Sequence, residues 1–287
     1  MQSKSSVILK ILLNSFHPGP PQSLLKKLPQ EEAKEVLSLE IATKNPALAL
    51  SWPSEAIART HYSWLAPIIE QMPKSIRSSL IASLPEPQST GLKKLLKIPP
   101  FAGIIPDAIK TFLRGQLYLR WQPAEAVPPD FLLESPLKVL LSISKADLVE
   151  LIDFLGIYDL ADGIRHVVDK NKLKQIYLCL TPQQQQYLRH CLHKKEKVAS
   201  PKLLIEKWDG SHEQLNHILH RRGMLRLGKA ISGQGRHFLW HIVHTLDTGR
   251  GQAVAEHYQD DEIPGISHFL AQQAISTLNF LKPKSNA

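Results

Sequence analysis

The 287-residue sequence predicts an all-α protein made of short stacked helical hairpins, of the α-solenoid kind. Three observations carry this expectation. Apolar residues recur at helical spacing along nearly the whole chain. No Val/Ile/Thr-rich alternating run bounded by Asn-Gly or Asp-Gly is present, so strands are not expected. Apolar-Pro pairs (Leu28-Pro29, Met72-Pro73, Leu84-Pro85 and Ile98-Pro99) recur as punctuation, and three of them read as openings of a new short helix.

The elements follow in order. Val7, Ile8, Ile11 and Leu12 mark a first amphipathic helix. Ala33, Val36, Leu37 and Ile41 keep helix spacing behind Pro29-Gln30-Glu31-Glu32, an acidic first turn with Pro near its start. Residues 122–135, with Pro123, Pro128 and Pro129 and with Pro136 just beyond, read as a Pro-rich linker between a helical domain over 1–121 and a second over 136–287. Leu148, Leu151, Ile152 and Leu155 then stand at i, i+3, i+4 and i+7. Ser144 and Asp147 supply a Ser-x-x-acid cap, and Gly156 is placed to stop that helix. Thr181-Pro182 opens a run to His193 in the same way. After Pro264-Gly265, the residues Ile266, Phe269, Leu270, Ala274 and Leu281 make one side of a final helix, able to dock on its own domain or in a partner's groove.

Charge is the unusual feature of the composition. Hydrophobic residues at 43% and charged residues at 21% describe a globular chain, but 35 basic against 26 acidic residues give +9. That excess is local: residues 165–236 hold 15 Lys/Arg, five Asp/Glu and six His, for a net of +10, which leaves the remainder at −1. The second domain is therefore the basic, His-rich one. Cys179 and Cys191 are the only cysteines, so no disulfide framework is expected and a reducing cytosol fits. Lys10 interrupts the apolar run Val7–Leu13, no small-residue cleavage site follows it, and no stretch nears the ~18 apolar residues of a membrane span. The expected location is cytoplasmic, either free or peripheral at the inner face of the membrane.

Candidate chemistry narrows by exclusion. Gly223 to Ala230 nearly spells a phosphate loop, but Ala230 stands where a magnesium-binding hydroxyl belongs and a helical segment precedes the first Gly; a helix end at Gly223 is the plainer reading. His237, His241 and His244 share one helix face at about 0°, 40° and 340°, either as zinc ligands or as a solvated or interface face charging below pH ~6.5. His190, Cys191 and His193, like His217 and His220, are incomplete ligand sets, and no cofactor is expected. No Gly-x-Ser-x-Gly elbow occurs. Asp153, Asp159, Asp162 and Asp169 lie near Arg165 and His166 and read as a solvated charged face. A non-enzymatic protein is expected. The basic block offers a docking face built on Lys194, Lys195, Lys197, Arg221, Arg222, Arg226 and Lys229. Its partner is expected to be protein, or an anionic membrane surface. Nucleic acid is the alternative, contacted by the same residues, with Tyr177, Tyr187, Trp208 and Trp240 as stacking candidates.

Phe16-His17-Pro18 with Gln22-Ser23-Leu24-Leu25, followed by Leu28-Pro29-Gln30-Glu31-Glu32-Ala33-Lys34-Glu35-Val36-Leu37, resembles the middle region of the flagellar rotor switch protein family. There a His-Pro segment precedes a helix, then a Leu-Pro turn, then a Glu-Ala-rich helix ending in Val-Leu. Trp64-Leu65-Ala66-Pro67-Ile68-Ile69, Met72-Pro73 and Leu80-Ile81-Ala82-Ser83-Leu84-Pro85 continue the rhythm, within the first hundred residues. The resemblance implies an armadillo-like helical scaffold at the cytoplasmic face of a membrane-embedded secretion or motor complex, with no catalytic residues. Phe16 stands where the family's motif begins with an acid, and the Gly-Gly hinge is missing. The relative so implied is non-motile, a component of a type III secretion apparatus.

Overall fold

The computed structural model describes residues 4–17, 22–41, 45–121, 123, 125–193, 203, 205 and 208–282. Among these, regular structure is helical throughout and no strand forms, as the apolar period predicts. The helices are α1 (Lys4–Phe16), α2 (Gln22–Leu25), α3 (Gln30–Ser38), α4 (Leu48–Arg59), α5 (Tyr62–Glu70), α6 (Lys74–Ala82), α7 (Glu86–Leu96), α8 (Asp107–Trp121), α9 (Lys145–Ile164), α10 (Lys170–Cys179), α11 (Pro182–Leu192), α12 (His212–Ala230), α13 (Arg236–Thr245), α14 (Thr248–Ala255) and α15 (Ser267–Leu281). Two 3-10 turns, Pro129–Phe131 and Pro136–Leu141, lie between α8 and α9. The chain divides into two compact units. The first comprises residues 1–135 with 236–248, and the second 136–235 with 249–287.

In the first unit proline sets the rhythm. Pro29, Pro73 and Pro85 occupy the N-caps of α3, α6 and α7 with φ of −53°, −56° and −57°, where the ring supplies the extended backbone that precedes a helix. The apolar residue before each Pro turns inward: Met72 and Leu84 join the main core, and Leu28 packs against Leu13, Leu25 and Val36. Ile98-Pro99 differs, since it leads into the loop before α8. The core gathers Trp52, Ile57, Leu65, Ile69, Leu80, Ile81, Leu92 and Leu117 from α4 to α8, with Trp240 of α13. Burying each such side chain contributes about 1.5–3 kcal/mol. The Pro-rich segment after α8 is packed in its own right. Ala126, Val127 and Phe131 are buried there, and the Trp52 Nε1–H donates to the Ala126 carbonyl at 3.0 Å.

The second unit is organised on α9. Ser144 Oγ accepts from the Asp147 N–H at 3.1 Å and Asp147 Oδ2 accepts from the Ser144 N–H at 3.3 Å, the capping box the sequence announces. Thr181 and Gln184 form the same box on α11. α9 does not stop at Gly156 but runs on to Ile164, and α12 likewise runs through Gly223. Both glycines serve the crossing of these two helices. A Cβ on Gly156 would strike the Leu219 carbonyl, and a Cβ on Gly223 would strike the Ile152 carbonyl. Two glycines facing each other's backbones let the helices approach at a distance no other residue permits. α11 packs on α9, and α15 packs on α9 and α12.

Candidate docking site

A buried polar network fixes α12 before any surface site is built. Arg226 is 1% exposed. Its Nε donates to Asp159 Oδ1 at 3.1 Å, its Nη1 donates to Gln273 Oε1 at 2.7 Å, and its guanidinium lies 5.3 Å from the Tyr158 ring centre. Beside it the Tyr187 hydroxyl meets the Tyr158 hydroxyl at 2.9 Å and Thr277 Oγ1 at 2.7 Å. Burial pushes both phenols up from their ordinary value, so they stay neutral donors. Grouping Arg226 with the docking cations is therefore corrected, because its charge is spent on Asp159 inside the unit. Asp159 leaves the solvated acidic face for the same reason.

One turn away, α12 presents a different stripe. Ile218, Arg221, Arg222 and Leu225, spaced i, i+3, i+4 and i+7, line a pocket of about 440 Å³ with Leu203, Ile205, Trp208, Leu215 and His257. Trp208 is held as part of the wall by donating Nε1–H to the Ser211 carbonyl at 2.9 Å. Arg221 is exposed. Arg222 is half-buried, with its Nε 3.9 Å from Asp159 Oδ2. The volume falls within the range of ligand pockets, and planar guanidiniums at an apolar rim suit a carboxylate attached to an apolar body.

Of the seven cations expected to dock a partner, Arg221 and Arg222 come together at this pocket. Lys229 is half-buried on α12 away from it, and Lys194, Lys195 and Lys197 lie outside the described residues. The apolar wall went unread in the sequence. Ile218 and Leu225 carried a signal, standing three before Arg221 and three after Arg222, and Trp208 was read only as a stacking candidate, whereas Leu203, Ile205 and His257 carried none. Tyr187 and Trp240 are buried in the cores, so neither is a base-stacking platform, and Trp208 is accessible through the pocket alone.

The histidine stripe of α13 faces inward, in the first unit. His237 Nδ1 meets the Glu125 carbonyl at 2.7 Å, His241 Nε2 the Val127 carbonyl at 3.0 Å, and His244 Nδ1 the Trp240 carbonyl at 2.8 Å. Carbonyls only accept, so each of these nitrogens carries a proton. His244 stacks on Trp240 with ring centres 4.6 Å apart. Burial pulls His241 down to about 3 and His244 down to about 4. The solvated face expected to charge below pH ~6.5 is thus corrected: His241 and His244 stay neutral well below that and clamp backbone. Among the described residues no group of three or more His, Cys, Asp or Glu is placed to hold a metal. In the second unit, Asp153 Oδ1 lies 2.6 Å from His220 Nδ1, and the Arg250 Nε–H donates to His220 Nε2 at 2.9 Å. Both ring nitrogens of His220 thus have a side-chain partner.

Comparison with protein-family models, curated proteins and solved structures returned no match. Among the described residues no helix is long and apolar enough to cross a membrane.

Proposed function

We propose that this chain is a non-enzymatic helical adaptor whose second unit captures a protein segment bearing an apolar anchor beside acidic residues. The observation that carries the proposal is the α12 pocket, where Arg221 and Arg222 border an apolar wall that ends in Trp208. An apolar side chain fills the wall while a flanking carboxylate meets Arg221, which combines anchor burial with charge complementarity. The resemblance of the first hundred residues supports placing the partner in a secretion or motor complex at the cytoplasmic face of a membrane.

The test is selection of displayed peptides on the purified full chain, followed by affinity measurement. Enrichment of Leu or Phe flanked by Asp or Glu is expected, with affinity falling at least tenfold in Arg221→Glu while helicity is unchanged. Equal binding by Arg221→Glu overturns the proposal. Retention of nucleic acid with a steep salt dependence, lost in the same variant, overturns it in favour of nucleic-acid binding.

A further inference from the structure

The first unit exposes large apolar side chains at several places, among them Phe16 at 66% and Leu50 at 85%, and the longest run of them lies on one segment. Between α7 and the end of α8, Leu95 is 53% exposed, Ile104 99%, Ile109 48%, Phe112 59% and Leu119 62%. Single exposed leucines are ordinary, but here these five large apolar side chains are exposed within residues 95–119. Ile109, Phe112 and Leu119 fall at i, i+3 and i+10 on one face of α8. Ahead of them runs Ile98-Pro99-Pro100-Phe101-Ala102-Gly103-Ile104-Ile105-Pro106, a loop without a charged residue. Lys97, held in the left-handed conformation at φ 51°, turns the chain out of α7 into it.

The charges around this surface are mostly positive. From residue 87 to 124 the chain carries Lys93, Lys94, Lys97, Lys110, Arg114 and Arg120 against the single acid Asp107. Two of these cations are engaged locally: Lys110 with Asp107 at 2.9 Å, and Arg114 Nε with the Ser83 carbonyl at 2.6 Å. Lys94, Lys97 and Arg120 are exposed beside Leu95, the loop and Leu119.

We infer that residues 94–121 are a membrane-contact element that sets the apolar loop and the exposed stripe of α8 into the headgroup region of an anionic bilayer. Apolar side chains rimmed by cations, on a helix too short and too charged to span, are the composition of an element that lies in the interface plane. A bilayer accepts side chains from a loop tip without needing a complementary shape, and the unmatched positive charge selects anionic lipid. These residues are separate from Arg221 and Arg222, so this inference and the adaptor proposal stand or fail independently.

The experiment is flotation of the full chain with vesicles of phosphatidylcholine alone or with about one third phosphatidylglycerol. Wild-type chain is expected to float with the mixed vesicles, at least tenfold less with the neutral ones. Ile104→Ser with Phe112→Ser should lower partitioning about tenfold or more by removing two inserted side chains. Lys94→Glu with Lys97→Glu should do so on anionic vesicles only, since each cation near such a surface is worth about fivefold. All four positions are exposed, and circular dichroism of the variants checks the fold. Arg221→Glu should float as wild type. Absence of flotation by the wild type, or equal flotation by the Ile104/Phe112 variant, overturns the inference. Loss of flotation in Arg221→Glu alone overturns it too, by moving the contact to the second unit. So does a protein partner whose capture, with no flotation, depends on Ile104 and Phe112.

Discussion

Arg226→Met removes the guanidinium that hydrogen-bonds Asp159 inside the second unit. Asp159 and Arg226 side chains are 4% and 1% exposed, so neither charge has water to fall back on. Among the described residues Asp159 Oδ2 has no hydrogen-bond partner, and after the substitution the Arg222 Nε remains near, at 3.9 Å. Orphaning one member of a buried pair costs about 3–5 kcal/mol, and residual attraction from Arg222 puts the expected loss near the lower end. With a urea slope of about 2 kcal/mol per molar, the midpoint of the second unit falls by ~1.5 M. Urea titration of the full chain by circular dichroism measures this. Trp208 fluorescence reports the second unit, while Trp52, Trp64, Trp121 and Trp240 report the first as an internal control. Asp159→Leu added to Arg226→Met should recover at least half the loss, because the orphaned charge is then gone. A midpoint within ~0.25 M of wild type, equivalent to the ~0.5 kcal/mol of an ordinary surface change, would refute the reasoning and return Arg226 to the docking surface.

Gly223→Ala should destabilise by about 2 kcal/mol through overpacking against the Ile152 carbonyl, whereas Gly115→Ala, with nothing within 4 Å of the new methyl, should stabilise by about 0.5–1 kcal/mol through helix propensity; paired urea midpoints decide. His241 and His244, held at about 3 and about 4 against an ordinary 6.5, make the unfolded chain the better proton binder. Stability of the first unit is therefore full above pH ~6.5 and falls progressively toward pH 4, by about 3 kcal/mol from His244 alone; His244→Phe should flatten this slope, and an unchanged slope would count against the assignment. Ser144→Ala should cost about 1 kcal/mol by opening the α9 capping box, read as a lower thermal midpoint of the second unit.

How much was legible in the sequence depends on the range of the force involved. The caps at Ser144 and Thr181, and the Pro29, Pro73 and Pro85 helix starts, involve groups within three or four residues, so residue types in order suffice to place them. Gly156 and Gly223 illustrate the limit. Each reads locally as a stop, since glycine commonly ends helices, yet each sits mid-helix because the opposing backbone needs the space. The same holds for His237, His241 and His244. Their shared face was readable from spacing, but whether that face met water or the carbonyls of Glu125 and Val127 was not.

The sequence by itself determined an all-helical chain, its punctuation, and a positive charge concentrated in residues 165–236. Only the tertiary structure decided which of those charges face solvent. Arg221 and Arg226 lie five residues apart on α12, and composition and spacing treat them alike. One stands exposed at the rim of an apolar pocket and the other is buried against Asp159, 67 residues away. Whether a charge is available depends on its desolvation and on a partner brought in by the fold, and both arise from contacts distant in the chain.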